Sequence, residues 1–166
     1  MPQVVFAVGD DVSTDAIYPG RFMATVLPTE TPQFAFADHA ELNARLKTRE
    51  IPSGSVLVAG QNFGCGSSRE QAASALKGHD VVVVARGFAR IFLQNAINLG
   101  LRTIICPSIA ASEGDELELT SSSVVNTTTG LRFATIPLPE ARQGIVDAGG
   151  LIPYARKKLM DRAESR

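Results

Sequence analysis

The hydrophobic residues of this chain fall into short runs, which are separated by polar segments rich in glycine and proline. Runs of this kind predict β-strands, and four of them lie at Val4–Val8, Val56–Ala59, Val81–Ala85 and Thr103–Cys106. Val81–Ala85 is almost entirely valine, which suits a strand covered on both faces, as in a parallel sheet. The pattern therefore favours a sheet that is at least partly parallel.

Helical patterns lie between and after these runs. The predicted helices are His39–Lys47, Glu70–Leu76, Phe88–Leu99, 139–147 and 151–160. In Phe88–Leu99 the apolar residues recur every three or four positions, and Gly100 then ends the helix. The polar residues 162–166 are expected to be a frayed tail.

After Asp115 the pattern changes to a small meander of three short strands with a turn at Thr127–Gly130. The predicted strands are Glu116–Leu119, Val124–Asn126 and Leu131–Ala134. Strands with interleaved helices predict an α/β fold, and a length of 166 residues fits one domain over residues 1–166.

Residues 12–34 form the longest stretch without a sustained period. Pro19, Gly20, Pro28 and Pro32 interrupt it, so the segment is predicted as a long structured loop. Long loops inside compact domains tend to be functional, which makes this segment a candidate part of a site.

Charge and composition exclude several classes of partner. The chain has 16 basic and 17 acidic residues, a balance that gives no electrostatic case for nucleic acid or an anionic membrane. No apolar run approaches the roughly 20 residues of a membrane span, and residues 1–11 lack the basic and apolar regions of a signal peptide. A cytoplasmic location is expected by default.

The chain has two cysteines, Cys65 and Cys106, which are too few to hold zinc or an iron–sulfur cluster. His39 and His79 lie at no ligand-like spacing from them. Any metal used by this protein is therefore expected on another chain. A disulfide between the two cysteines is not expected in a reducing compartment.

The most informative segment is the glycine- and serine-rich sequence at residues 60–70, between a predicted strand and a predicted helix. Unpaired N–H groups and the helix dipole at such a junction favour an anion, and glycines such as Gly66 let the backbone approach a ligand closely. Ser67 and Ser68 add hydroxyl groups, and Arg69 can grip a carboxylate with two parallel hydrogen bonds. The segment predicts a small carboxylate-binding nest.

Other interpretations of this segment stay open on local pattern alone. Ser67 and Glu70 also fit a capping box, which only starts a helix. A P-loop would need a lysine before the hydroxyl residue, and a dinucleotide-binding motif would need a glycine where Arg69 stands. Cys65 could act as a nucleophile near a helix N-terminus, as in a cysteine hydrolase, but no histidine is evidently placed as its base.

Several motifs resemble the swivel domain of the aconitase family and match it in order and spacing. They are GDDVSTDAI at 9–17, GQNFGCGSSRE at 60–70, GFARIF at 87–92 running on to Asn95, and AGGLI at 148–152. Within that family the chain is most similar to the small subunits of 3-isopropylmalate dehydratase, in which the swivel domain is a separate polypeptide. The resemblance implies a β/β/α domain with a mixed, partly parallel sheet.

The resemblance also implies a function and a partner. In that family a larger subunit carries a 4Fe–4S cluster, and the swivel domain closes over it to dehydrate and rehydrate a small hydroxylated dicarboxylate. Carried over by motif, Ser67 would be the catalytic base, Arg69 and Ser68 would bind the substrate carboxylate next to Gly66, and Asp15 would face the site. Arg90 and Asn95 are interpreted as supporting structure.

One position bears on the choice of substrate. Relatives that act on tricarboxylates carry an arginine in the loop after the first motif, whereas relatives that act on alkyl-substituted malates have an apolar residue there. Here the position is Ala24, next to Met23. The expected substrate is therefore isopropylmalate rather than citrate or homocitrate. The alternatives are the small subunit of a related dehydratase for a methylated malate of the citramalate or dimethylmalate type, and that of a homoaconitase.

The chain departs from the family at Gln71, where a histidine usually follows the Ser-Ser-Arg-Glu sequence. A glutamine can replace a neutral hydrogen-bond donor but cannot carry charge. The substrate or the partner of this chain can therefore differ from those of the best-known family members. A hypothesis from a different class also remains, a stand-alone module that binds a carboxylate without catalysis.

Overall fold

The computed structural model describes residues 1–166, and its strands form two sheets. Strands β1 to β4 are Val4–Ala7, Val56–Ala59, Val82–Ala85 and Thr103–Ile105, and they form a parallel sheet in that order. Strands β5 to β7 are Leu117–Leu119, Ser123–Asn126 and Leu131–Ala134, and they form an antiparallel sheet. The expected α/β class with partly parallel pairing is confirmed. The parallel and antiparallel strands belong to separate sheets, which isolated bridges such as Gln3–Glu116 connect.

The helices follow the sequence pattern closely. They are α1 Thr14–Ile17, α2 Ala40–Lys47, α3 Glu70–Gly78, α4 Arg90–Leu99, α5 Glu140–Asp147 and α6 Leu151–Glu164. Helices α2, α3 and α4 each connect neighbouring strands of the parallel sheet. Helix α4 ends at Gly100, whose φ of 75° is the left-handed conformation that glycine adopts most readily. None of the helices combines the length and hydropathy needed to cross a bilayer.

Two segments differ from the prediction. Residues 12–34, predicted as a loop, contain α1 and the two 3₁₀ turns Gly20–Phe22 and Thr31–Phe34, which are too short to produce a detectable period. The tail that was expected to fray from residue 162 instead continues α6 to Glu164, and Ser165 N donates to Asp161 O at 3.2 Å. Polar composition alone does not end a helix when no glycine or proline interrupts it.

Alternate residues of the parallel sheet enter two different cores, which defines three layers. One face packs on α2, α3 and α4 and contributes Val5, Leu57, Ala59, Val83 and Ala85. The other face packs on the antiparallel sheet and contributes Val4, Val56, Val58, Val82 and Val84. Since side chains alternate across a strand, both faces must be apolar, which explains the valine runs. The order of layers is the β/β/α arrangement that the resemblance implied.

A cluster of aromatic rings supports the segment that follows β2. The Phe63 ring is fully buried and meets the Phe92 ring of α4 edge to face, with the centroids 5.2 Å apart. Gly64 has a φ of 84°, and a Cβ there would collide with Phe92. The residue must therefore be glycine for the segment to lie this close to α4.

Candidate active site

The site loop, residues 60–69, extends from the carboxyl end of β2 and lies beside the loop that follows β1. Gly64 N donates to Val12 O at 2.7 Å, and Thr14 N donates to Cys65 O at 2.8 Å. These long-range bonds continue the parallel pairing of β1 and β2 beyond the sheet. The first two sequence motifs therefore form one unit.

Side chains of the first motif fasten the start of the site loop. Asp10 Oδ1 accepts a hydrogen bond from Gln61 N at 2.7 Å, and Asn62 Nδ2 donates to Asp11 Oδ1 at 2.9 Å. Asn62 has a φ of 58°, a left-handed conformation that asparagine tolerates better than most residues. The two aspartates thus accept hydrogen bonds from the loop backbone and from the Asn62 side chain, and they make no hydrogen bond to the serines.

The third motif borders the site loop on its other side. Phe63 N donates to Gly87 O at 3.0 Å, and Asn95 Nδ2 donates to Ser68 O at 3.2 Å. Asn95 therefore holds the backbone next to the serines, which agrees with its interpretation as a supporting residue. The side chain of Arg90 is exposed and makes no hydrogen bond or ion pair within the chain.

The end of the site loop presents unpaired main-chain donors. The N–H groups of Gly66, Ser67, Ser68 and Arg69 have no acceptor within the chain, and they lie directly before the first residue of α3. Gly66 has a φ of 97°, which the resulting turn requires. Unpaired N–H groups at a helix N-terminus favour an anion, so the geometry is suited to a carboxylate.

Ser67 is exposed, and its hydroxyl contacts a buried threonine. Ser67 Oγ lies 2.9 Å from Oγ1 of Thr14, the first residue of α1, although the two residues are 53 positions apart. The capping-box alternative is not realised, because α3 has Arg69 at its N-cap position and no side-chain capping bond. The hydroxyl of Ser67 therefore does not cap α3.

Arg69 is held in place by the first motif. Its Nη1 donates to Asp15 Oδ1 at 2.8 Å and to Tyr18 O at 3.1 Å, and only 16% of the side chain is exposed. Its Nε is buried without a hydrogen-bond partner, and Nη2 makes no hydrogen bond. Arg69 therefore does not offer its whole planar guanidinium to a carboxylate in the way that the sequence predicts. Nη2 is the nitrogen that is left to bind a ligand.

Asp15 acts as the anchor for Arg69. Its Oδ1 accepts a second hydrogen bond from Gly20 N at 2.8 Å. The hydrogen bond from Gly20 and the one from Arg69 lower the pKa of this carboxyl, because both favour its ionised form. Asp15 is therefore charged at neutral pH and fixes the arginine next to the unpaired N–H groups.

The segment that carries Ala24 is tied down by its backbone. The hydroxyl of Tyr18, a fully buried residue, lies 3.0 Å from Phe22 O and 3.2 Å from Thr25 O. Ala24 is exposed between these two attachment points. Tyr18 has this role without any signal in the sequence, since its partners are carbonyl groups that every residue has.

Gln71 provides a further attachment for the same segment. Its Nε2 donates to Met23 O at 3.1 Å, across 48 residues. The residue that departs from the family pattern thus contacts the loop predicted to select the substrate. The departure itself was the signal in the sequence, but only the structure gives its partner.

The cysteines and histidines do not form a catalytic group. Cys65 is a free thiol, and neither histidine serves it: His39 accepts a hydrogen bond from Leu42 N, while His79 contacts Pro32 O. Burial raises the pKa of the Cys106 thiol, which therefore stays protonated in the core. A cysteine hydrolase centred on Cys65 has no histidine base in this structure.

Metal ligands are not grouped in this chain. No cluster of three or more histidine, cysteine, aspartate or glutamate side chains could hold a metal ion. The residues present therefore do not fit a 4Fe–4S cluster, which normally needs several thiolate ligands.

Comparisons with known proteins agree on one family. The family model for the aconitase C-terminal domain matches residues 29–108. The 3-isopropylmalate dehydratase small subunit of Methanosarcina acetivorans is 44% identical over 158 residues, which cover 93% of this chain and 95% of that protein. The isopropylmalate/citramalate isomerase small subunit of Methanocaldococcus jannaschii is 43% identical over 162 residues, covering 95% of this chain and 94% of that protein.

The fold agrees as well. A crystal structure of 3-isopropylmalate dehydratase from Methanocaldococcus jannaschii superposes with a TM-score of 0.87 at 36% identity. The match covers 99% of this chain and 98% of that one, so both sheets and the site loop lie within the shared fold.

Proposed function

The chain belongs to the family of 3-isopropylmalate dehydratase small subunits, and we propose that it is the small subunit of a two-part hydro-lyase acting on an alkyl-substituted malate. The observation that carries this proposal is the exposed hydroxyl of Ser67. It lies in a loop with unpaired N–H groups, beside an arginine fixed by Asp15. This arrangement combines a proton-accepting oxygen with groups that bind a carboxylate.

The residues of this chain account for the proton transfer. Ser67 takes the proton from the carbon next to a substrate carboxylate and returns it in the reverse reaction. A serine is a weak base on its own, so the N–H groups and the Arg69 cation have to stabilise its anion. Ser68, whose hydroxyl is free, and Arg69 Nη2 would bind the carboxylate and keep the C–H bond in line with Ser67.

The rest of the reaction is assigned to a partner. We propose that a larger subunit carries the 4Fe–4S cluster and removes the hydroxyl group, because this chain has no group of residues that fits the cluster. The small subunit alone would then be inactive and free of iron. A cytoplasmic location is proposed with this assignment, and the two free thiols Cys65 and Cys106 suit a reducing compartment.

Isopropylmalate is the preferred substrate in this proposal, since Ala24 offers an exposed apolar surface to a branched alkyl group. A methylated malate is the second candidate. The relative named isopropylmalate/citramalate isomerase, at 43% identity, favours it. Both candidates share the malate core that Ser67 and Arg69 would recognise.

The test is reconstitution with the larger subunit from the same organism, followed by measurement of kcat and KM for 2-isopropylmalate. Ser67→Ala is expected to lower kcat by at least ~100-fold with little change in KM, because general-base steps contribute about that much. Ser121→Ala, an exposed serine in the turn between β5 and β6, is the matched control and should behave as wild type. Full activity of Ser67→Ala, or a cluster bound by this chain alone, would refute the division of roles.

A further inference from the structure

We infer that Thr14 is a positioning residue. Its hydroxyl donates a hydrogen bond to Ser67 Oγ and orients this serine oxygen to accept a proton. The inference deepens the proposed function and rests on it, because it concerns the residue proposed as the base. The observation behind it is the 2.9 Å contact between Thr14 Oγ1 and Ser67 Oγ.

Burial decides which of the two hydroxyls is the donor. Thr14 is only 2% exposed, and the oxygen of Ser67 is the sole hydrogen-bond partner of its hydroxyl. A buried donor hydrogen without an acceptor is costly, so the hydrogen of Thr14 has to point to Ser67. Ser67 is exposed and can turn its own hydrogen to solvent or substrate. Thr14 therefore donates and Ser67 accepts.

The position of Thr14 is fixed independently of its hydroxyl. Its N–H donates to Cys65 O at 2.8 Å, and its carbonyl accepts from Tyr18 N at 2.8 Å. The N-cap side chain of Ser13 accepts from Ala16 N at 3.1 Å, which secures the first turn of α1. The backbone of Thr14 thus holds the Thr14 hydroxyl in a fixed position. The hydrogen bond from it gives the Ser67 side chain a defined orientation that the site loop alone does not impose.

The hydrogen bond favours the reactive form of Ser67. When the substrate C–H bond breaks, its proton forms the O–H bond of Ser67 and its electron pair stays with the substrate carbon skeleton. The proton of Thr14 remains on Thr14 throughout. A donor to an anionic oxygen stabilises the anion, so Thr14 increases the fraction of Ser67 that can act as a base.

The experiment compares Thr14→Val, which keeps the shape but removes the hydroxyl, with Thr14→Ser, which keeps the hydroxyl. Both are measured in the reconstituted complex. For Thr14→Val we expect kcat to fall about 10- to 100-fold, as for the loss of a hydrogen bond to a charged group, with KM within about twofold of wild type. The rising limb of the pH–kcat profile should move to higher pH. Thr14→Ser should have the kcat and the pH–kcat profile of the wild type.

A double-mutant cycle separates this effect from a general structural one. If Thr14 acts through Ser67, Thr14→Val should not lower the residual activity of Ser67→Ala any further. An equal loss in both backgrounds, or a wild-type pH profile in Thr14→Val, would overturn the inference. Thr14→Ala serves in the same cycle if the valine variant does not assemble with its partner.

The outcomes distinguish this inference from the proposed function. If Ser67→Ala is as active as wild type, the proposed base is wrong and the role of Thr14 falls with it. If Ser67→Ala is inactive while Thr14→Val has normal kcat, the proposed function stands and only the inference is wrong.

Discussion

Gln71 in the first turn of α3 donates a hydrogen bond to the main-chain carbonyl of Met23, so the helix that begins next to Arg69 also holds the segment carrying Ala24. The candidate carboxylate-binding groups and the candidate selectivity loop are therefore attached to the same helix end. A change at Gln71 should alter how a substrate fits without touching the proposed base.

Gln71→Glu is expected to raise KM for 2-isopropylmalate about 3- to 10-fold, with a smaller change in kcat. An ionised carboxylate cannot donate to the Met23 carbonyl and repels it, so the segment loses one attachment. Gln71→His should stay near wild type, because an imidazole N–H can donate. The check is steady-state kinetics of the complex, with Gln94→Glu on the exposed face of α4 as the control. An unchanged KM in Gln71→Glu would show that this hydrogen bond does not position the loop.

Most of the sheet follows from the sequence, because its signals are local. A strand buried on both faces must be apolar at every position, and the run at Val81–Ala85 has this pattern. The glycine that ends α4 is a local signal too, since Gly100 adopts the left-handed conformation expected of it.

The contacts within the site could not be predicted in this way. Thr14 and Ser67 are 53 residues apart, and no periodic pattern links two hydroxyl groups at that distance. Local pattern also allowed a different role for Ser67, because Ser67 and Glu70 match a capping box that the folded chain does not form. Family resemblance identified Ser67 and Arg69 as candidates, while their hydrogen bonds depend on how the β1 and β2 loops pack.

Gly64→Ala should destabilise the fold by about 3 kcal/mol or more. The substitution combines a strained positive φ with a collision between the new Cβ and the buried Phe92 ring. Gly114→Ala is the matched control, because Gly114 has a φ of 94° but no atom within 4 Å of the position of a Cβ. It should cost only about 1 to 2 kcal/mol. Chemical denaturation of the isolated chain measures both, and equal losses would contradict the close packing of the site loop on α4.

Asp15→Asn should remove a pH-dependent part of the stability. The pKa of Asp15 is lower in the folded chain than its ordinary value, so the unfolded chain takes up this proton first as the pH falls. The hydrogen bonds that the Asp15 carboxylate accepts from Gly20 N and from Arg69 therefore stabilise the fold above about pH 4, and this contribution disappears as the pH falls through the lowered pKa. The Tm values of wild type and Asp15→Asn should differ at pH 7 and converge progressively as the pH is lowered below about 4. Glu50→Gln, which removes an exposed charge without a partner, should show no such convergence.

Substrate choice gives the sharpest prediction, and it depends on Ala24. The residue is exposed in a segment whose exposed side chains include Met23 and Val26, so a substrate group that meets it encounters an apolar surface. An alkyl group gains about 0.8 kcal/mol per buried CH₂ there, whereas a carboxylate would lose hydration without a partner. Wild type should therefore have a higher kcat/KM for 2-isopropylmalate or a methylated malate than for homocitrate.

Ala24→Arg should reverse this order, because a guanidinium can pair with the extra carboxylate of a tricarboxylate. Ala24→Met has a similar length without the charge and should lower activity on bulky substrates without any gain for homocitrate. The measurement is kcat/KM of each complex for 2-isopropylmalate, citramalate and homocitrate. Since Tyr18 and Gln71 hold the backbone on both sides of Ala24, the new side chain starts from a fixed position, and its effect reports on the substrate directly. A wild-type preference for homocitrate, or no gain for homocitrate in Ala24→Arg, would mean that this segment does not face the variable group of the substrate.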